Sequence, residues 1–168
     1  SGLLDALDAA DPTERVWTWH QADETVGFWI RRMAHETAIH RADAESTAGP
    51  NTPLDAALAA DGVDEVLGPI MAAYTDDPKW AFEPDGTAVE LRIAETGDVR
   101  HLVMGSGAHG PGWSYGEGPA DDPAAVVEAG ASDLDLWAWG RADRSVLEIT
   151  GDAGLIDTVR SVVASVTG

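Results

Sequence analysis

The stretch Ile30-Arg31-Arg32-Met33-Ala34-His35-Glu36-Thr37-Ala38-Ile39-His40-Arg41 decides the reading of this chain. It lies inside a long helical pattern that runs from Asp23 to about Glu45. Asp23 or Thr25 can cap its start, and Gly49-Pro50 closes the region behind it. A zincin motif would place two histidines at i and i+4 with Glu directly after the first. His35 and His40 are instead about 140° apart on a helix turning about 100° per residue, so one helix cannot aim both at one metal. Glu36 and His40, at i and i+4, are only about 40° apart and share a face. On the same wheel Val26, Trp29, Ile30, Met33 and Thr37 fall on one side of this pair and Phe28 and Ile39 on the other. The pair is thus expected near the middle of the apolar, buried face. A buried carboxylate and imidazole are costly unless paired or bound to a metal. The residues leave three solutions open: a Glu36–His40 hydrogen bond, a Glu36–Arg32 ion pair, or two ligands of a divalent metal within a helix bundle. Asp43, one turn further on, could accept a hydrogen bond from His40.

Outward from this helix, Leu3–Ala10 reads as a short helix stopped by Asp11-Pro12, and Val16–His20 as an extended aromatic connector. A second helical stretch begins at Pro53 and reaches about Tyr74 in two pieces, interrupted by Gly62, Gly68 and Pro69. The period then changes. Residues 87–94 alternate with period two, and residues 99–104 pair with them across Thr96-Gly97-Asp98. Further strands are expected at 113–117, 124–128 and 145–150, with a short helix at 134–139 and a closing amphipathic helix at 153–166. Helices followed by strands framed with helices predict an α+β chain in two units, 1–75 and 76–168.

Composition narrows the function classes. The chain has 168 residues, 44% of them hydrophobic, which suffices for a core. Thirty acidic against ten basic residues give a formal charge of −20, a field that repels phosphate backbones and anionic lipid surfaces. Nucleic acid and membrane are therefore not expected partners. There is no Cys, hence no disulfide, cysteine nucleophile or thiolate metal site. No run approaches the length of a membrane span and no signal peptide opens the chain, so a cytoplasmic protein is expected. The Ala, Gly, Asp and Arg bias suits a GC-rich, actinobacterial or halophilic genome. No Gly-x-Ser-x-Gly elbow is present, and the Gly-rich run 105–112, carrying His109, lacks a phosphate-loop ending and reads as a flexible hairpin loop. His101 falls in the strand before it. Most of the seven Trp are expected to fill core and junction: Trp17, Trp19, Trp29 and Trp80 around the first unit, Trp113, Trp137 and Trp139 in the second.

Several of these segments resemble one family. Val16-Trp17-Thr18-Trp19 and Phe28 through Glu45 look like the metal-binding part of the mycothiol-dependent maleylpyruvate isomerase family. Thr52-Pro53-Leu54 and Leu58 through Leu67 are similar to its next segment. Ala131–Leu134, Leu136-Trp137-Ala138-Trp139-Gly140-Arg141 and Gly151-Asp152 resemble its C-terminal domain, which is similar to sterol-carrier proteins. The resemblance implies the C-terminal part of a DinB-like four-helix bundle over 1–75, then a small sterol-carrier-protein-like α/β domain over 76–168. It implies a divalent metal, zinc being the first choice for a donor set without thiolate, held by Glu36 and His40. The family's third ligand is a His on an earlier helix that has no match here; His20 matches no ligand position. The upstream helices are expected from a missing segment, from another chain, or not at all. Arg141 is the candidate for the arginine that the family's C-terminal domain lends to the active site.

The chemistry implied is that of a metal-dependent, mycothiol-using isomerase or thiol transferase-like protein acting on a small electrophilic substrate. The cofactor thiol adds to an electrophilic double bond, lets it rotate, and leaves. The competing expectation is a non-catalytic module that binds a small molecule or a protein and carries a vestigial metal site. A Glu36–Arg32 pair together with an apolar tunnel in the second unit would mark that alternative.

Overall fold

The computed structural model describes residues 2–74, 85–105 and 112–167, without the side chain of Tyr74. The flexible loop expected over 105–112, with His109, and the junction Trp80 lie wholly or mostly outside the described residues. Helices and a five-stranded sheet make the chain α+β. It divides into two compact units, Ser1–Asn51 and Thr52–Gly168.

The first unit holds α1 (Leu3–Ala9) and α2 (Val26–Ser46), joined by an extended segment. An isolated bridge between Arg15 and Thr25 turns the chain into α2. Of the two caps the sequence offered, Thr25 is the one used. Its side chain accepts from Phe28 N at 3.2 Å, and Asp23 Oδ1 accepts from the Thr25 hydroxyl at 2.7 Å. The Trp17–Trp29–Phe28–Trp19 rings meet edge to face or tilted, with centroids 4.9–6.3 Å apart. Trp17 departs from the core-filling expectation. It is 74% exposed, and its carbonyl accepts from Trp29 Nε1 at 3.0 Å.

The second unit opens with α3 (Ala56–Glu65), a π-helical turn (Val66–Ile70) and α4 (Met71–Tyr74). α3 starts at Ala56, not at Pro53, because the Asp55 carboxylate accepts from Ala57 N and Leu58 N. Gly62 does not break it. The interruption comes at the π turn, which contains Pro69, a residue with no N–H to give the regular ladder.

The sheet has the order β3-β2-β1-β4-β5: β1 (Ala88–Ile93), β2 (Val99–Met104), β3 (Trp113–Glu117), β4 (Ala125–Ala129) and β5 (Glu148–Gly151). β1–β2, β2–β3 and β4–β5 are antiparallel, while β1 and β4 run parallel at the centre. The Gly97 turn joins β1 to β2 as expected, with the left-handed φ of 72° that suits glycine. Central β1 is buried on both faces except at Arg92. Its buried Glu90 is satisfied by Arg92 Nε at 2.7 Å and Ala120 N at 3.0 Å.

Between β4 and β5 lies α5 (Ala131–Ala138), and α6 (Ala153–Thr167) ends the unit. α3 packs along α5, and Leu54 N donates to Ser132 Oγ at 2.9 Å. This packing explains why the division falls between Asn51 and Thr52, earlier than the 75/76 boundary read from the change of periodicity. Helical period does not reveal which unit a helix packs with, and α3 belongs by its contacts with α5. Trp113, Trp137 and Trp139 are buried, as the core-filling reading of the second unit requires.

Candidate functional site

Glu36 and His40 come together on α2 as their spacing requires: His40 Nε2 lies 3.0 Å from Glu36 Oε2. The other ring nitrogen, Nδ1, lies 3.2 Å from Asp43 Oδ2. The imidazole is therefore held between two carboxylates one turn or less away. The other Glu36 oxygen accepts from Arg32 Nη2. All four side chains form one string along the helix.

Their burial differs from the expectation. The buried face of α2 carries Val26, Phe28, Arg32, His35, Ala38, Ile39 and Ala42. The His40 side chain is 67% exposed and that of Glu36 37%. The wheel placed the pair mid-face because it counted Trp29, Ile30 and Met33 as inward. Trp29 and Met33 are half-buried and Ile30 is exposed, so the buried stripe is rotated toward His35, which is 1% exposed. The buried guanidinium of Arg32 reaches Glu36 from that stripe.

The donor chemistry of the string fits part of a cation site. If His40 gives its Nδ1–H to Asp43, its Nε2 lone pair faces a carboxylate oxygen. Two facing lone pairs need a cation between them, a proton or a metal ion. Their separation is near the roughly 3.3 Å expected of two donors on one tetrahedral ion. Among the described residues no group of three or more His, Asp or Glu is arranged to hold a metal. His20 is no third donor here: its ring stacks on Phe28 with centroids 6.2 Å apart.

Arg141 lies in the second unit, just past α5. Its Nη1 donates to Trp139 O and, at 3.2 Å, to Thr167 O at the end of α6. A guanidinium on the last carbonyls of two helices is a helix-end contact of the ordinary kind. His101, on β2, has Nδ1 3.0 Å from Gly118 O.

Two polar clusters of the second unit escaped the sequence reading. Asp64 of α3 accepts from Arg100 Nε at 2.7 Å and Nη2 at 3.1 Å, and from the Tyr115 hydroxyl. Burial, with Asp64 next to it, pushes the Tyr115 hydroxyl far above its usual range. Asp135 of α5 is 1% exposed, and burial first, then Glu65 and Asp61 of α3, push its carboxyl up to about 8. Its only visible signal in the sequence was a carboxylate set inside the apolar run Leu134-Asp135-Leu136-Trp137, as Glu65 is set between Val63 and Leu67.

Comparison with known proteins follows the same division. The mycothiol maleylpyruvate isomerase N-terminal domain matches residues 1–45, and the MDMPI C-terminal domain matches residues 57–158. The chain belongs to the mycothiol maleylpyruvate isomerase family. No curated protein matches it in sequence. Among solved structures it is similar to sterol carrier protein 2 of Aedes aegypti in complex with palmitate, at 18% identity over 65% of this chain and 97% of that one, TM-score 0.45. It is similar to the UbiJ-SCP2 ubiquinone synthesis protein at 18% identity over 66% of this chain and 96% of that one, TM-score 0.42. It also matches the sec-alkylsulfatase Pisa1 of Pseudomonas sp. at 11% identity, TM-score 0.39, over 45% of this chain; it spans 12% of the alkylsulfatase. No described helix is long and apolar enough to cross a membrane.

Proposed function

We propose that this chain contributes Glu36 and His40 to a divalent-metal site, zinc in the first instance, of a cytoplasmic mycothiol-using isomerase or thiol transferase-like protein. Its substrate is a small electrophile. The observation that carries the reading is the 3.0 Å approach of His40 Nε2 to Glu36 Oε2, with Asp43 at the opposite ring nitrogen. Family membership supports the mycothiol part.

The chain's own residues would act as follows. Asp43 fixes the imidazole tautomer by taking Nδ1–H and so presents Nε2 as the donor. Glu36 supplies an oxygen on the same helix face. Arg32 holds the second Glu36 oxygen and sets its rotamer, at the expense of the carboxylate's charge. When bound, the metal supplies a Lewis acid that favours the ionised form of a cofactor thiol, which suits a chain with no cysteine of its own. The remaining donors come from another segment or another chain. Arg141 is the candidate to meet substrate from the second unit.

The Arg32–Glu36 pair favours a second reading, a non-catalytic binding module in which the metal pair is vestigial. Cobalt(II) replacement separates the two. Under the first reading, Co(II) added to the protein gives visible d–d bands, and mycothiol adds a sulfur-to-cobalt charge-transfer band that Glu36→Ala and His40→Ala abolish. A spectrum identical to free Co(II) with mycothiol would leave the binding module.

A further inference from the structure

Buried carboxylates are ordinarily matched with donors. Glu90 of β1 is held by Arg92 and Ala120 N, and Asp64 of α3 by Arg100 and Tyr115. Asp135 of α5 is different. It is 1% exposed, and its Oδ1 makes no hydrogen bond among the described residues. Both its oxygens lie within 2.7 Å of where a Cβ on Gly62 would stand, so the carboxyl lies flat against the backbone of α3. The charges that act on it are of its own sign: Glu65, itself 1% exposed, and Asp61, both on α3. Trp139, one turn further along α5, is the one neighbour that favours the anion. Among the described residues, the other elements around α5 bring it no counter-ion. Arg160 of α6 lies against Gly140, Asp157 of α6 is bonded to Arg144 of the turn Arg144–Val146, and Arg141 is fastened to Trp139 O and Thr167 O.

The neutral acid suits this place, and the anion does not. Burial and the two α3 carboxylates hold the Asp135 carboxyl up at about 8. Above that pH the closed helix pair traps an unsolvated charge beside two others, and the charge gains water only where α5 parts from α3. The other fastenings of the two helices limit what can part. The Arg100 guanidinium and the Tyr115 hydroxyl are both held above their usual ranges, so each keeps its proton and Asp64 keeps α3 on the sheet. The first turn of α5 is tied by Ala131 N, which donates to Glu95 Oε2 at 2.8 Å, and by Ser132 Oγ, which accepts from Leu54 N. Asp135 lies beyond both ties, so the half of α5 that follows it is the part free to lift.

We propose that Asp135 is a pH-operated latch within the second unit: protonated, it seats the C-terminal half of α5 on Gly62 of α3, and ionised, it releases that half while α3 stays on the sheet. The release is a local opening and not the unfolding of the unit. It does not depend on metal binding by α2.

The test is amide hydrogen exchange of the full chain by NMR at pH 6 and pH 9, each rate divided by that of an unstructured amide at the same pH. Trp139 N and Arg141 N, bonded to Asp135 O and Leu136 O, report on the end of α5. Their protection falls roughly tenfold to a hundredfold at pH 9. Ile93 N and Ala94 N, bonded to Asp98 O and Ala129 O, report on the sheet and change by less than about threefold. Asp135→Asn, neutral at both pH values, shows no such fall. The contrast between the two sets of amides in the wild type decides without any variant having to fold. An equal change in both sets, no change in either, or an undiminished fall in folded Asp135→Asn would overturn the proposal.

Discussion

Asp135 Oδ2 would lie 2.5 Å from a Cβ placed on Gly62, so the Asp135 carboxyl of α5 rests directly on the backbone of α3. Both residues are buried. The helix pair that opens and anchors the second unit is therefore joined at a point where one partner must have no side chain and the other carries an ionisable group.

Gly62→Ala should destabilise the second unit by about 1–3 kcal/mol, because the methyl must displace a buried carboxyl. Asp135→Ala in the same chain should recover part of that loss. A double-mutant cycle by urea unfolding measures the coupling.

The same carboxyl makes stability depend on pH. Its folded pKa, about 8, stands above the usual 3.8, so the fold prefers the protonated acid. The contribution is fully present below pH 3.8 and is lost as pH rises through about 8. Unfolding at pH 6 and pH 9 should differ by about 2–4 kcal/mol, with the protein weaker at pH 9. Asp135→Asn, which copies the neutral acid, should remove most of that difference.

Arg32 and any metal compete for Glu36. Arg32→Met keeps the buried stem and releases the carboxylate. The proposed site then predicts divalent-metal affinity about two- to fivefold tighter in calorimetric titration, matching a partly exposed ion pair of about 0.5–1 kcal/mol.

The tryptophans should divide sharply. Trp137, 2% exposed, should cost about 3–5 kcal/mol on truncation to Ala. Trp17→Ala should fall within about 0.5 kcal/mol of wild type, since its ring is largely in water. Thermal unfolding of the two variants checks both.

What was legible in the sequence followed local rules. The alternation of residues 87–94, the Gly97 turn and the Thr25 cap each depend on a few adjacent residues, and each is where it was expected. So is the Glu36–His40 contact, which helix geometry alone imposes. The face of α2 was not legible, because apolar residues surround that helix: Trp29, Ile30 and Met33 lie on one side and Phe28 and Ile39 on the other. Only the packing partner chooses between them. The grouping of α3 with α5 and the Arg100–Asp64–Tyr115 network join residues far apart in the chain. No periodicity records them. Gly62, read as a helix interruption, is instead the space required by Asp135.

The most direct test of the metal reading is zinc content by elemental analysis of the purified protein, with Glu36→Ala and His40→Ala alongside and all three checked for folding by circular dichroism. The proposed site predicts about one zinc per chain in the wild type, lost in both folded variants. No zinc in the wild type, even after zinc is added and excess removed, or equal zinc in all three, would contradict it.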